Sequence, residues 1–593
     1  MHAKTNKKLR AQRLHNSKYA LLLMAALGGL LIMGSSQNHP TTPVLGAQTQ
    51  QRATKQLRHM TNRKSKTVCS AAQPGHVRCL ADVTTDDNGN PLSATPAVSG
   101  GYGPVEFHTA YQLPCTPGGA VATTCSTPGT FGPQTIAIVD AGNLTSGGAT
   151  VESSLQTYDT HYNIPACTAA NGCLNIVNQT GTTSPLPASQ GWDDEIALDV
   201  EVAHTICQTC KILLVESNTN SDADLTAAEV TAASFSPASI SNSWGGSDSS
   251  SNDASLIHPG IAVVAATGDT GSESNGQSWP ADIPQVVAAS GTTLNLNVDN
   301  SWASETLWSY SAGNGTGGGC AASYSAPAWQ TSLAEWSTNG CGSKRAFGDL
   351  SADANPNTGA AISIGSSWFQ FGGTSLSSPL IASMFALAGG VPSGSTASSI
   401  PYSSNNSTNF HDITSGNDCT TGGEQHCTTA VGFDTPSGLG SPSGLGGFSL
   451  LPTQPTGFTA TDVDQSHVSL SWTASSGSQT ISTYRIYRNG TQVATSNSTS
   501  YADSGLSPNV NYTYHVIAQD VLGNLSPASS DSSATTYYPQ DINQDGHINL
   551  LDVSLLVNKY GQSGAGIGRA DINKDGTVNL LDVSLLVNKY GIE

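Results

Sequence analysis

The sequence predicts a three-part chain. An α/β region built on a mostly parallel sheet with flanking helices comes first, then a β-sandwich, then a small α-helical module made of a duplicated acidic loop. Three observations carry this reading. From Gly101 to about Leu450, short and wholly apolar runs alternate with helical runs. Strands of a parallel sheet covered on both faces read this way, as continuous apolar stretches. Residues 456–537 switch to alternation at a period of two, which marks half-buried antiparallel strands. The end of the chain repeats itself at an offset of 30 residues: Asp541–Gly561 and Asp571–Gly591 match at 18 of 21 positions. A chain of 593 residues has room for several domains of about 100–200 residues each.

The amino terminus differs in composition from the rest. Residues 1–78 hold 13 Lys/Arg and no acidic residue, which leaves 9 basic against 42 acidic groups in the remainder. So acidic a body repels nucleic acid and anionic lipid, so no nucleic-acid partner is expected. It is less self-repulsive at acid pH, in keeping with an acidic workplace. A basic stretch to Lys18, an apolar run from Tyr19 to Met33 and the small residues Gly34-Ser35-Ser36 form the pattern of a signal peptide. The run is short of the roughly 20 residues that span a membrane, although an anchor helix is the alternative. The expectation is a secreted protein without stable membrane insertion. Residues 1–46 would be signal and leader, and 47–100 a short prosegment or N-terminal extension.

Twelve cysteines fall in close pairs: Cys69/Cys79, Cys115/Cys125, Cys167/Cys173, Cys207/Cys210, Cys320/Cys341 and Cys419/Cys427. Exported thiols oxidise, so six local disulfides are expected. For Cys207-Gln-Thr-Cys210 a redox or zinc site is the alternative, although a lone C-x-x-C is weak evidence for metal.

Between residues 101 and 450, Thr135–Val139 reads as a strand, Glu195–Cys207 as a helix and Lys211–Val215 as the next strand. Ala223–Phe235 reads as helix, and Ser239–Ser243, Gly260–Ala266 and Gln285–Ala289 as further buried strands. Leu451-Pro-Thr-Gln-Pro455 is a linker. Val468–Trp472, Thr483–Tyr487 and Tyr512–Val516 alternate as sandwich strands. The order Trp472, Tyr484, Leu506, Tyr512, Tyr514 resembles a fibronectin type III domain over 456–537. The resemblance implies a core tryptophan at Trp472 and a tyrosine corner at Tyr512, with no catalysis.

Each terminal repeat opens D-I-N-x-D-G. Asp541, Asn543, Asp545 and Asp552 stand at positions 1, 3, 5 and 12 of a calcium loop, with Gly546 at the sharp turn. His547 at position 7 offers a carbonyl, and Asn549 at position 9 a further oxygen. Asp571, Asn573, Asp575, Thr577, Asn579 and Asp582, with Gly576, repeat the set. Oxygen ligands at this spacing wrap one hard cation, so two calcium ions are expected here. Asp at position 12 followed by a single helix resembles a type I dockerin over 538–593. That resemblance implies a cohesin-type partner on a scaffold protein. The hydroxyl residues by which dockerins often read a partner are replaced here by Leu550-Leu551 and Leu580-Leu581, which leaves another partner domain open.

The chemistry lies in three separated signals. Gly373-Thr374-Ser375, followed by Pro379 and an apolar run, puts a serine at a helix start, where backbone N–H groups favour a developing anion. A serine nucleophile needs a base. No H-G-T motif supplies a histidine; His204 and His258 lie in other settings, and Asp140 in Ile-Val-Asp-Ala-Gly has no histidine partner of the kind a subtilisin triad requires. Glu195 and Asp199 are spaced i, i+4 on an apolar helix, one above the other. Two such carboxyls have split titrations. Asp269, in Thr267-Gly268-Asp269-Thr-Gly271, follows the strand ending at Ala266, where α/β folds bind ligands. Kept protonated, it is able to donate to an oxyanion.

Taken together, E-x-x-x-D, G-D-x-G and G-T-S-x-x-x-P resemble the sedolisin family, the serine-carboxyl peptidases, over about 101–450. The resemblance implies a subtilisin-like α/β fold and a secreted endopeptidase acting on proteins or peptides at acidic pH. Ser375 would be nucleophile, Glu195 base and acid, Asp199 its tuning partner, and Asp269 the oxyanion stabiliser. It also implies a calcium site formed by the carboxylates of Asp412 and Asp434 and the carbonyls of Ile413, Ala430 and Gly432. The alternative is a catalytically silent peptidase-like protein displayed through its tail.

Overall fold

The computed structural model describes residues 63–93, 101–118, 122–125, 133–246, 250–272, 279–311, 314–405, 407–419, 425–462 and 464–591, without side chains at 115–118, 122–125, 250, 251, 310, 311, 314 and 462. The expected signal segment lies outside the described residues, as does the side-chain pairing of Cys115 with Cys125. Residues 56–593 cluster as one compact unit.

Two short strands and a third open the described chain: β1 (Lys64–Thr67), β2 (Arg78–Cys79) and β3 (Asp82–Thr85). The principal sheet is built from β4 (Thr135–Ala141), β5 (Leu174–Asn178), β6 (Lys211–Ser217), β7 (Ser239–Asn242), β9 (Ala262–Ala266), β10 (Val287–Leu296), β11 (Trp302–Leu307) and β12 (Leu350–Asp353). A short strand, β8 (Trp244–Gly245), follows β7. The order across the principal sheet is β11-β10-β9-β7-β4-β6-β5, with β12 also against β10. All pairings are parallel except that of the edge strand β11 with β10. β7 and β9 are buried at every residue, as strands with helices on both sides must be.

Three helices frame the site: α1 (Asp193–Ile206), α2 (Asp222–Ser234) and α3 (Thr374–Leu387). α1 and α3 pack against each other, and α3 lies on β7, β9 and β10. Each residue of α3 is buried, with the Ser377 and Ser378 hydroxyls bonded to the Ser290 carbonyl and the Ser241 hydroxyl, as buried polar groups require. The apolar runs of the sequence thus become the sheet and α3, and the expected helix at 223–235 becomes α2. A second, antiparallel sheet joins β1 and β3 to β13 (Ala360–Ile364) and β14 (Ser367–Gly372), in the order β1-β3-β14-β13.

Among the described residues, five disulfides close Cys69–Cys79, Cys167–Cys173, Cys207–Cys210, Cys320–Cys341 and Cys419–Cys427. The pair at 207 and 210 is therefore a structural bridge in this fold and presents no thiolates to a metal.

The sandwich follows with its own core of Val468, Leu470, Trp472, Tyr484, Ile486, Tyr514 and Val516 among others. The Tyr512 hydroxyl accepts from the Ser507 N–H at 3.1 Å, the bond of a tyrosine corner. In the tail, helices α4 (Leu550–Val557) and α5 (Leu580–Val587) bury Leu556 and Leu586 with Ile548, Ile567 and Val578. Among the described residues no helix is long and apolar enough to cross a membrane.

Candidate active site

Glu195 enters the site because α1 starts two residues before it. Asp193, Asp194 and Glu195 occupy the first turn, where acidic groups complement the helix dipole. The Asp193 carboxylate also accepts from the N–H groups of Thr145 and Ser146 at 2.6 and 2.8 Å, which fixes that helix end. One turn on, Asp199 follows. Both Glu195 and Asp199 are fully buried. Burial pushes both well above the usual carboxylate range; the Asp199 charge adds to this at Glu195, and the Asp140 charge at both.

Ser375 is the second residue of α3, after Gly373 and Thr374. Gly373 has φ +90, and a Cβ there would stand 2.8 Å from Asp269 Oδ2, so this turn admits only glycine. The Ser375 hydroxyl donates to the Ser243 carbonyl at 3.2 Å. It is also near enough to Glu195 to favour that group's charged form. Neither Glu195 oxygen has a well-aligned hydrogen bond among the described residues.

Pro379 lies within α3. An early-turn proline costs few N–H bonds; here it withholds the N–H that would meet the Ser375 carbonyl. The Ser243 hydroxyl takes up that geometry, 2.8 Å from Asp199 Oδ1 and 3.3 Å from the Ser375 carbonyl. One hydroxyl at the end of β7 therefore links the carboxyl pair on α1 to the serine on α3.

Asp269 follows β9. Its Oδ1 accepts from the Thr374 N–H and hydroxyl, both at 2.8 Å, and Thr374 Oγ1 accepts from the Gly268 N–H at 3.0 Å. Its Oδ2 is buried without a partner among the described residues. Burial pushes Asp269 up to about 8, aided by the nearby Asp82. A protonated Oδ2 beside the α3 amino end is a donor awaiting an acceptor.

Two further acids belong to the cluster. Asp140, at the end of β4, is raised to about 7 by burial, and Glu216 on β6 to about 8. The sequence pointed to Asp140 only as an incomplete triad. For Ser243 and Glu216 no motif gave warning, and Thr374 stood in the G-T-S motif without an assigned role. His204 is buried with its Nε2 2.7 Å from the Pro165 carbonyl and is held near 4 by burial, so it supplies no base to Ser375.

Of the expected calcium ligands in the α/β region, Asp412 and Asp434 lie close to each other. Asp434 is pushed up to about 7 by burial with the Asp412 charge nearby. The Gly432 N–H donates to Asp412 and the Ala430 N–H to Asp434, at 2.9 and 2.8 Å. Two neighbouring carboxyls are the oxygen donors a calcium ion takes. In the tail, Asp541 accepts from the N–H groups of Asp545 and Gly546, and Asp552 from those of Ile542 and Asn549. The second loop repeats these bonds through Asp571 and Asp582. Gly546 and Gly576 take φ +89 and +87, as the sharp turn demands. The charges of Asp545 and Asp552 both act on Asp541, so the donor sets fit a cation. Asn549 and Asn579 use their side-chain oxygens to accept from Leu551 and Leu581 N–H, as helix N-caps.

Comparisons with known proteins divide the chain in the same way. A fibronectin type III domain family matches residues 453–535, and a dockerin type I domain family matches 539–590. The preceding region is similar to kumamolisin of Bacillus sp. (strain MN-32), 30% identical over 353 residues, which cover 55% of this chain and 58% of that protein. It is likewise similar to sedolisin of Pseudomonas sp. (strain 101), 29% identical over 357 residues, covering 54% and 56%. The chain thus spans a little over half the length of these curated relatives. A solved structure of Pseudomonas sedolisin, complexed with pseudo-iodotyrostatin, aligns with a TM-score of 0.47 at 25% identity, covering 58% of this chain and 96% of that one.

Proposed function

From its homology to sedolisin and kumamolisin, ahead of fibronectin type III and dockerin type I domains, we propose that this chain is a secreted serine-carboxyl endopeptidase with a subtilisin-like fold that cleaves proteins at acidic pH. The observation that carries the reading is the convergence of Glu195, Asp199, Asp269 and Ser375 in one buried cluster, with no histidine base among the described residues. In the proposed reaction Ser375 Oγ attacks a peptide carbonyl carbon and passes its proton to Glu195. Asp199, oriented by Ser243, tunes Glu195. The Ser375 N–H and protonated Asp269 Oδ2 hold the tetrahedral oxyanion. Glu195 then returns the proton to the leaving amine, and water repeats the sequence on the ester.

Calcium belongs to the same reading. One ion would be held by Asp412, Asp434 and the carbonyls of Ile413, Ala430 and Gly432. Two more would sit in the tail loops, where Asp541, Asn543, Asp545, His547, Asn549 and Asp552, and the equivalent set from Asp571 to Asp582, supply the oxygens. Bound calcium would neutralise these carboxyl clusters and pin the loops. The dockerin-like tail would dock a cohesin-type scaffold domain. Its exposed Leu550 and Leu580, each 71% accessible, and Leu551 and Leu581, each 52%, would make that contact apolar.

The test is a pH–rate profile on a denatured protein substrate. Wild type should turn over at acidic pH with a falling alkaline limb, and Ser375→Ala should not. Equal hydrolysis by the two chains, or none by either, rejects the peptidase in favour of a silent display protein.

A further inference from the structure

Residues 77–83 cross the catalytic groups as an extended segment. The Leu80 carbonyl accepts from the Ser375 N–H at 3.1 Å, and the Leu80 N–H donates to the Ser243 carbonyl at 3.1 Å. On the amino-terminal side β2 pairs antiparallel with β8, Cys79 opposite Trp244 and Arg78 opposite Gly245. On the other side Asp82 and Val83 of β3 stand opposite Gly372 and Phe371 of β14. The backbone is therefore pinned on both sides of one peptide bond, Leu80–Ala81.

Side chains along this segment alternate in direction. Val77, Cys79, Ala81 and Val83 enter the main apolar core. Arg78, Leu80 and Asp82 form the opposite face, and the charges of Arg78 and Asp82 both act on Asp269. Leu80 is fully buried yet stands apart from that core. A peptide added to a strand edge is a common mode of recognition. Here the register adds meaning, because the Leu80 oxygen meets the amide that an oxyanion would use. Gly373 leaves the room: a Cβ there would stand 2.2 Å from that oxygen.

We propose that the Lys64–Thr85 hairpin fills the substrate cleft in substrate register, presenting Leu80–Ala81 as the scissile bond and an apolar side chain of leucine size to the acyl-side pocket. The proposal rests on the peptidase reading above. The same hairpin is built to survive a cut. β1 pairs with β3 across the bond, from Lys64 opposite Thr85 to Thr67 opposite Asp82. The Cys69–Cys79 disulfide closes the loop one residue before Leu80.

Attack by Ser375 Oγ on the Leu80 carbonyl carbon gives the hydroxyl proton to Glu195. The C–N bond to Ala81 breaks, the Ala81 amine takes that proton, and Leu80 remains as an ester on Ser375. Water then releases the Leu80 carboxylate. Because the β1-β3-β14 ladder holds the Ala81 amine in place, its return to the ester competes with water at a high effective concentration. The hairpin is thereby a slow substrate and a self-inhibitor.

The test begins with full-length Ser375→Ala, titrated at neutral pH with a fluorescein-labelled peptide of the sequence of residues 77–83 carrying Ser for Cys79. The peptide should bind weakly. Adding Leu80→Asp, which puts an unpaired carboxylate in the pocket, should tighten peptide binding about tenfold or more. Adding Cys69→Ser/Cys79→Ser instead, which loosens the hairpin, should act in the same direction. Wild type incubated in acid should acquire a new amino terminus at Ala81, absent from Ser375→Ala. Equal peptide affinity in all three Ser375→Ala chains overturns the proposal. So does a wild type that digests denatured protein while Leu80–Ala81 stays intact. A restored affinity with no hydrolysis by wild type or by Leu80→Asp supports the hairpin as cleft occupant and overturns the peptidase reading alone.

Discussion

Asp269 shows how surroundings set the protonation of a single carboxyl. Its Oδ1 is committed to Thr374, and its Oδ2 is buried beside Gly373 without a partner among the described residues. Burial raises it to about 8, so in the filled cleft it carries a proton throughout the acidic range. Asp269→Ala should lower kcat by about 10²–10³, the usual loss for an oxyanion donor. Asp269→Asn should retain more activity, because its amide oxygen must accept from Thr374 and its NH2 then faces the oxyanion. It should also lose the alkaline limb of the rate profile, since an amide does not titrate. An Asn variant no better than Ala, with wild-type pH dependence, contradicts this. Ser243→Ala removes the hydrogen bond that favours charged Asp199. The carboxyl pair then titrates higher, and the acid limb of kcat should move to higher pH.

At the scale of elements, two devices bring distant groups together. α1 aligns Glu195 and Asp199, and the proline in α3 leaves the Ser375 carbonyl to Ser243. The tail uses the opposite strategy, with each loop and its helix forming one local unit. Asp541→Ala combined with Asp571→Ala should abolish two of the three calcium-binding events in calorimetric titration of the full chain. The site of Asp412 and Asp434 should persist. Calcium bound only to the folded loops adds stability by mass action, so a chelator should lower the melting temperature of wild type more than that of the double variant.

For the whole molecule, the buried acids make stability depend on pH in an unusual sense. Asp140 is raised to about 7, and Glu216, Glu229 and Asp269 to about 8, against 3.8 and 4.5 for the free side chains. Across that interval the folded chain binds more protons than the unfolded one, so stability falls as pH rises. The net charge of −20 acts in the same direction through self-repulsion. Melting of Ser375→Ala, followed calorimetrically in calcium, should shift upward as pH falls from about 8 towards about 5. A flat or opposite trend contradicts it.

The sequence alone determined what is local. The apolar runs became β4, β6, β9 and α3, period-two alternation became the sandwich, and the repeat became two loop–helix units, because each pattern reflects contacts within one element or between neighbours. It also singled out Glu195, Asp199, Asp269 and Ser375 as candidates, since their motifs are turns and helix starts with demanding backbone geometry. Only the tertiary structure decided which other groups join them. Asp140, Glu216 and Ser243 belong to the cluster because adjacent parallel strands end at the same edge, a fact that no short window contains. Residues 77–83 carry no motif at all. Their meaning comes from register against β8 and β14, whose residues lie far along the chain, and register is a property of pairing rather than of composition.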